Sequence, residues 1–403
     1  MNERRVIPLV SAQPRATSTT IELAAPPPLS LYVHYPWCVR KCPYCDFNSH
    51  AVRDEGIPEE AYVEALIADL EAALPQIWGR RINTVFIGGG TPSLMSPAGL
   101  DRLLTAVRTL TMLAPAAEIT LEANPGTVEA ARFKGFREAG VTRVSLGIQS
   151  FNDAHLKALG RIHDASEARA AVDHALTHFE SVNLDLMYAL PGQSLADAHA
   201  DLEAAIGFGP AHLSCYHLTL EPNTPFHAAP PALPDDDLAA DMQEMIEARL
   251  GEAGYRHYET SAFARPGREC RHNLNYWHFG DYLGIGAGAH GKLSSHTGIA
   301  REMRHKHPTA YLAGAARGDF VQDRRLVDVE DLSFEFMMNA LRLTGGFALA
   351  QFGAHTGLPL AAVEERLIEA RKAGFIEIVD ERVVPTARGR RFLNELLQGF
   401  LPD

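Results

Sequence analysis

Strand-like runs recur six times in the first half of the chain, at Leu31–Tyr35, Thr84–Gly88, Glu118–Glu122, Arg143–Gln149, Ser181–Met187 and His212–Leu220. Helical stretches separate them. Tyr62–Leu74 and Leu100–Leu110 carry apolar residues at the i, i+3, i+4 spacing of a half-buried helix. Strand then helix, repeated, lays each new strand parallel to the last, because the crossover returns the chain to the same end of the sheet. The expectation is an α/β fold, either a partial barrel or an open doubly wound sheet. Gly88-Gly89-Gly90-Thr91-Pro92, Glu122, Gln149 and Asp185 fall at or near strand C-termini. In parallel α/β folds that edge carries the ligand site. Turn chemistry alone accounts for Gly88 and Pro92, whereas polar residues closing apolar strands point equally to function.

The second half changes texture. A Pro-rich stretch from Glu221 to Pro234 precedes a predicted helix, Asp236–Glu252. A Gly- and aromatic-rich segment, Tyr255–Gly291, is centred on Arg271-His272-Asn273-Leu274-Asn275-Tyr276-Trp277. From about Asp331 the pattern reads as helices Leu332–Leu343 and Pro359–Ala373, a hairpin of Ile376–Val379 and Arg382–Val384, and a closing helix Arg388–Phe400. That order is winged-helix-like, but residues 347–403 hold 7 Lys/Arg against 8 Asp/Glu. Without a basic excess, a packing or lid module is expected and not a nucleic-acid reader. The whole chain, with 37 Lys+Arg and 50 Asp+Glu over 403 residues, carries a net charge of −13, which also argues against phosphate-backbone binding. No apolar run approaches the ~18 residues that span a bilayer. Met1–Pro28 lacks an apolar signal core and holds Pro26-Pro27-Pro28, so it reads as a disordered tail of a cytoplasmic protein, with peripheral membrane contact left open. The organisation expected is a tail (1–28), a barrel (29–265), a connecting segment (266–330) and a C-terminal module (331–403).

Three of the five cysteines stand in Cys38-Val39-Arg40-Lys41-Cys42-Pro43-Tyr44-Cys45, just after the first strand. This C-x3-C-x2-C spacing puts three thiols on one loop. They can hold three irons of a [4Fe–4S] cube and leave the fourth iron open. The alternative is a zinc knot completed by His34 or His50, but zinc hooks come as separated pairs and no second hook is present. Cys215 lies in a predicted strand and reads as an apolar filler.

The cysteine spacing resembles that of the radical S-adenosylmethionine (SAM) superfamily. Tyr32-Val33-His34-Tyr35-Pro36-Trp37 before the first cysteine resembles its coproporphyrinogen-dehydrogenase-like branch, the HemN/HemW group. The resemblance implies a partial (β/α)6 radical SAM barrel followed by a smaller C-terminal α+β domain. It also implies a [4Fe–4S] cluster on Cys38, Cys42 and Cys45. SAM would be held by Tyr32, Tyr44, Gly89, Gly90, Thr91, Glu122, Gln149, Arg161 and Asp185. Glu122 and Asp185 would accept from ribose hydroxyls or the amino group, and Arg161 would pair with the methionine carboxylate. An electron donor would reduce the cluster.

Where HemN-type dehydrogenases carry a further cysteine two residues after the third, this chain has Phe47. That departure is similar to HemW-type haem chaperones, as is the His-Asn-x-x-Tyr-Trp string at His272–Trp277. The resemblance then implies haem binding, with transfer to haem-accepting respiratory proteins, by a monomer or a homodimer. No catalytic residue is assigned, and whether the chain is an enzyme is left open beside two alternatives: a coproporphyrinogen III dehydrogenase and another radical SAM enzyme. His272 is the expected haem ligand, with Tyr276 and Trp277 able to stack on a macrocycle. Cys270, His34, His50, His163 and His290 compete, and Arg271 and Lys292 are candidates for the propionates.

Overall fold

The computed structural model describes residues 21–126 and 131–402. Six parallel strands follow the expected alternation: β1 (Leu29–Tyr35), β2 (Arg81–Gly89), β3 (Met112–Ala123), β4 (Arg143–Gln149), β5 (Ser181–Tyr188) and β6 (His212–His217). Helices α1 (Glu59–Ala73), α2 (Pro97–Leu110), α3 (Phe133–Ala139), α4 (Ala165–His178) and α5 (Leu195–Phe208) connect them, and α6 (Asp236–Glu252) follows β6. Local chemistry sets the helix ends. Asp164 and Glu167 form a capping box on α4, and Gly209, in the left-handed region at φ 64°, stops α5.

The sheet runs beyond six strands. A hairpin, β7 (Arg256–Glu259) and β8 (Ala262–Ala264), adds antiparallel to β6. On the other flank β9 (Asp281–Ile285) pairs parallel with β1, and β10 (His290–Ser295), β11 (Gly298–Arg304) and β12 (Val321–Leu326) continue antiparallel. The order is β12-β11-β10-β9-β1-β2-β3-β4-β5-β6-β8-β7, an open sheet of 12 strands. Residues 266–330, read from sequence as a connector, thus supply four strands of the barrel sheet. Their polar pattern hid this: buried Asp281, Lys292, Ser294, Glu302 and Arg304 are paired with one another or with Asp69 and Arg80. Paired buried charge imitates the polarity of a surface loop.

The period-two alternation of the strands decides what the barrel encloses. Val144, Leu146, Val182, Leu184, Leu186, Leu213 and Cys215 face outward into the apolar core under the helices. Arg143, Ser145, Gly147, Gln149, Asn183, Asp185, Ser214 and Tyr216 face inward and line a cavity. Cys215 is therefore core filling, as its sequence context implied. The helix α7 (Arg271–Trp277) lies across the floor of this cavity, where the His272 amide donates to Glu118 Oε1 at 3.1 Å and Arg271 Nη1 donates to the Ala116 carbonyl at 2.7 Å.

The C-terminal module comprises α8 (Val329–Ala340), α9 (Leu349–Thr356), α10 (Ala361–Lys372) and a small sheet of β13 (Phe347–Ala348), β14 (Ile376–Val379) and β15 (Arg382–Pro385). The closing helix expected over Arg388–Phe400 is two pieces, α11 (Ala387–Arg391) and α12 (Leu393–Gln398), broken where Phe392 leaves helical geometry at ψ 45°. A second apolar core joins Phe336, Phe347 and Phe352 to Phe279 and Ile299 beside the barrel sheet. The expected tail needs correction too. Residues 1–20 lie outside the described residues, but 21–28 are tied down: Glu22 N–H donates to the Gly357 carbonyl at 3.1 Å, and the Pro27 carbonyl accepts from Arg80 at 2.6 Å.

Candidate functional site

The inner cavity measures about 470 Å³ and opens at the C-terminal end of the parallel strands. Cys38, Cys42 and Cys45 stand at its mouth, partly exposed and unbridged. Their loop is fixed by short backbone bonds: Cys45 N–H to the Cys42 carbonyl at 3.2 Å, and Val52 N–H to the Cys38 carbonyl at 2.9 Å. Asn48 pins it to the β9–β10 turn and to the segment after β11, donating to the carbonyls of Ala287 at 3.0 Å and Lys306 at 2.9 Å. Among the described residues no three His, Cys, Asp or Glu side chains converge closely enough for one metal ion. Thiolates of a cube each take a separate iron and stand further apart than ligands of a single ion. His34 is unavailable as a zinc ligand, since its Nε2 is bonded to the Asn48 carbonyl at 2.9 Å and its Nδ1 to Tyr32 at 2.9 Å.

Beside the thiols, the strand ends bring together most of the residues singled out for SAM. Tyr44, Gly89, Gly90, Thr91, Glu122, Gln149, Arg161 and Asp185 all line the same cavity. The Gly89–Thr91 loop uses up its own N–H groups, with Gly89 donating to Glu122 Oε2 at 3.1 Å, Gly90 to the Tyr35 carbonyl at 2.8 Å and Thr91 to the Trp37 carbonyl at 2.7 Å. What it can offer a ligand is carbonyl oxygen, which suits an ammonium group. The glycines are obligatory. A Cβ on Gly90 would meet the Trp37 carbonyl at 2.6 Å, and one on Gly89, where φ is 117°, would meet the His34 ring at 2.7 Å. Gly90→Ala is therefore expected to push back the strand leading into Cys38 and lower iron retention severalfold on reconstitution. Gly207→Ala, with open space around its Cβ, is expected to leave iron content unchanged.

Arg161 is positioned from behind. Its Nη2 donates to Asn124 Oδ1 at 2.8 Å and to the Gly147 carbonyl at 2.8 Å, its Nη1 stands 3.6 Å from Cys42 Sγ, and its Nε is buried without a partner. Asn124 in turn donates to Thr91 Oγ1 at 2.9 Å, so one side chain links the glycine loop to the arginine. Gln149 sits in the left-handed region at φ 68°, a strained backbone for a non-glycine residue.

The two carboxylates carry the electrostatics. Asp185 accepts from Ser145 Oγ at 3.0 Å and Asn183 Nδ2 at 2.8 Å, yet burial raises its pKa. Burial, with the nearby Asp185 charge, pushes Glu122 up to about 7, against the Gly89 amide and Arg143 that pull it down. Two like charges in a shared dry wall disfavour ionisation of both, and a cationic ligand relieves them.

Two expected contacts are not brought to this cavity. Tyr32 instead lines a smaller neighbouring cavity of about 350 Å³, with Phe47, Gly89, Glu122, Tyr276 and His290. His272 is 1% exposed in the floor, packed 5.0 Å from the Phe86 ring and 4.9 Å from Tyr276. Its Nδ1 bonds Thr84 Oγ1 at 2.9 Å, its Nε2 is buried without a partner, and burial lowers its pKa to about 3. The helical α7 seals this imidazole from any opening, so haem cannot reach it in this arrangement. Among the competing ligands and propionate contacts Cys270, Lys292 and His163 are likewise buried, whereas His290 and Arg271 are exposed and His50 is half-buried. Cys270 is buried with Sγ 3.8 Å from Glu118, and Lys292 Nζ is buried on Asp281 at 2.9 Å. His163 Nε2 bonds the Ile148 carbonyl at 3.1 Å. Sequence reading missed Asn124, Ser145 and Asn183. Asn124 was legible within Glu122-Ala123-Asn124-Pro125, whereas the inward face of Ser145 and Asn183 needed the strand register.

Comparison with known proteins follows this geometry. Residues 32–205 match the radical SAM superfamily and residues 327–392 the HemN C-terminal domain. The heme chaperone HemW of Escherichia coli K12 is 49% identical over 379 residues, covering 94% of this chain and 99% of the relative. HemW of Mycobacterium tuberculosis H37Rv is 38% identical (93% and 95% covered) and that of Bacillus subtilis 168 is 32% identical (93% and 99%). The solved structure of coproporphyrinogen III oxidase HemN from Escherichia coli superposes with a TM-score of 0.78 at 24% identity, covering 93% of this chain and 90% of that one, which shows a shared fold.

Proposed function

Because this chain belongs to the HemW family within the radical SAM superfamily, we propose that it is a haem chaperone. It binds haem, a [4Fe–4S] cluster and SAM, and passes haem to haem-accepting respiratory proteins. The observation that carries this reading over dehydrogenase activity is Phe47. Its ring is 61% exposed and lines both cavities, in the position where the dehydrogenases have a further thiol. An apolar ring there supplies no thiol beside the cluster.

The residues fit the cofactors. Three thiols share one loop, the buried Arg161 Nε lacks a partner, and the glycine loop, with its own N–H groups engaged, is left with carbonyl oxygens for a ligand ammonium. Cys38, Cys42 and Cys45 would hold the cluster, whose chemistry is delivery of one electron to a bound sulfonium. Arg161, held by Asn124 and Gly147, orients a ligand carboxylate next to Cys42. Glu122 and Asp185 accept from hydroxyl or ammonium donors and offset a positive charge. The floor helix α7 keeps water from entering at the far end. An electron donor is proposed to dock at the mouth, where Val39, Phe47 and Ile162 are exposed beside Arg40 and Lys41. Among the described residues no helix is long and apolar enough to cross a membrane. A cytoplasmic site of action, with at most peripheral membrane contact, belongs to the proposal.

Anaerobic reconstitution followed by two assays tests this. Haem titration is expected to give a saturable Soret shift. Coproporphyrinogen III, SAM and a reductant are expected to yield no protoporphyrinogen IX. Clear turnover to that product overturns the chaperone reading and restores the dehydrogenase.

A further inference from the structure

The smaller cavity beside the thiols, about 350 Å³, is walled by rings. Tyr32, Phe47, Tyr276 and Tyr282 line it together with the imidazoles of His34 and His290. Tyr276 packs on Tyr282 with ring centroids 4.4 Å apart, and the Tyr282 hydroxyl accepts from Arg301 Nη1 at 2.6 Å, so this wall is fixed. Phe47, by contrast, is 61% exposed at the lip, a large apolar ring that packs into no core. Tyr276 belongs to the His272–Trp277 string, which therefore reaches a cavity through its tyrosine and not through its sealed histidine. Of the four Phe and Tyr rings only Tyr32 is among the residues expected to hold SAM.

The two imidazoles differ in what they can give a ligand. Both ring nitrogens of His34 are engaged, by Tyr32 and by the Asn48 carbonyl. Among the described residues neither ring nitrogen of His290 has a hydrogen-bond partner. The register aims this side chain at the cavity. Lys292 stands opposite Tyr282, so period-two alternation puts His290, two residues earlier on β10, on the face that Tyr282 presents. His290 also lies close enough to His34 for its charge to lower that residue's pKa. Partial burial, with Lys306 and Arg301 nearby, lowers the pKa of His290 itself, so the ring is neutral at pH 7 and keeps a lone pair.

Charge at the cavity is arranged by position. Lys41 and Lys306 stand exposed at the rim, tied to lining residues through the Phe47 carbonyl, which accepts from Lys41 Nζ at 3.0 Å, and through Asn48, which donates to the Lys306 carbonyl at 2.9 Å. Glu122, the one carboxylate of the lining, lies at the end shared with the larger cavity. Aromatic walls, a free imidazole and two lysines at one edge match a flat apolar macrocycle that carries an iron and two carboxylates along one side.

We propose that this aromatic cavity is the haem site, with a ring nitrogen of His290 as an axial ligand of the iron, Phe47 and Tyr276 against the macrocycle, and Lys41 and Lys306 at the propionates. The inference rests on the haem-chaperone reading above and names where that chaperone holds its cargo. The cavity is at the lower end of the size range for ligand pockets, so the macrocycle keeps an edge in solvent, as a cargo that is to be handed on requires. Phe47 then does more than leave out a thiol: the ring that stands in the dehydrogenases' cysteine position is a wall of the haem site.

Haem titration of the full chain, followed at the Soret band, tests this in His290→Ala, His290→Gly, Phe47→Ser, Phe47→Tyr and His50→Ala. His290 and Phe47 are exposed, and the Phe47 contacts that shape the loop are made by its backbone carbonyl, so these changes leave the core and the loop intact. Both His290 variants are expected to lose at least about tenfold in haem affinity with a displaced Soret band, and added imidazole is expected to restore the band in His290→Gly. Phe47→Ser is expected to weaken haem binding severalfold while reconstituting a normal iron–sulfur spectrum, which reports an intact fold. Phe47→Tyr keeps the ring and is expected to bind as the wild type does. His50→Ala, half-buried outside the cavity lining, is expected to keep the wild-type band. If wild-type protein binds haem and the His290 and Phe47→Ser variants bind it unchanged, or if His50→Ala alone loses the band, the cavity assignment is overturned and the chaperone reading survives. If wild-type protein binds no haem, both fall together.

Discussion

Alanine at Cys38, Cys42 or Cys45 is expected to take the reconstituted protein from about four irons per chain to nearly none, with loss of the broad thiolate-to-iron absorption. Each thiol would cap one iron, so each deletion leaves a second iron open. Neither of the other two cysteines, nor His34, can substitute. Cys215 faces the apolar core on the outer side of β6, where burial raises its thiol to about 12. Cys270 is sealed in the floor against Glu118, and both ring nitrogens of His34 are engaged. Cys215→Ala is therefore expected to leave iron and sulfide content at the wild-type level. Iron and acid-labile sulfide analysis checks this. Stoichiometric zinc without sulfide in the wild-type protein would replace the cluster with a metal knot.

Asp185→Ala is expected to weaken SAM binding by about tenfold or more, since hydrogen bonds to a charged group are worth ~1.5–3 kcal/mol and each 1.4 kcal/mol is tenfold. Equilibrium dialysis with labelled SAM reads it. Glu122 adds a pH signature. Its folded pKa of about 7 lies above the ordinary carboxylate value of 4.5, with Asp185, Arg143, Tyr32 and Tyr216 as its titratable surroundings. SAM affinity is expected to rise as pH rises through about 7, because only the ionised carboxylate offsets a positive charge. Stability of the ligand-free protein runs the other way. The native carboxyl binds its proton more tightly than the unfolded one, so its contribution is complete below about 4.5 and is lost as pH rises through about 7. Glu122→Gln is expected to flatten both profiles. A SAM affinity independent of pH between 6 and 8 in the wild-type protein, on the order of one pKa unit either side of neutrality, would remove Glu122 from the ligand's surroundings.

Much of this site was legible before any coordinates. Spacing alone put Cys38, Cys42 and Cys45 on one loop, because a run of eight residues cannot be spread across a fold. Glu122, Gln149 and Asp185 were legible because polar residues closing apolar strands collect at one edge of a parallel sheet. The helix Asp236–Glu252 and the strand Ile376–Val379 lie where their local patterns put them. By contrast, β9–β12 were not legible. Buried pairs such as Asp281–Lys292 and Asp69–Arg304 bring together residues distant in sequence, so each partner reads alone as a solvated charge.

The histidines show where sequence stops. His272 stands beside two aromatic residues and so reads as a haem ligand, while His355 sits unremarked in an amphipathic helix. Composition and spacing determine which residues lie on one loop, one strand end or one helix face, because those relations are set by the local period of the backbone. They do not determine which imidazole is sealed beneath a floor helix and which is held half-buried by a distant backbone carbonyl. That depends on Thr84, Phe86 and Glu118 closing over His272, and on the His278 carbonyl meeting His355 Nδ1 across 77 residues. Tautomer and access follow from contacts between elements, and only the packed structure brings those elements together.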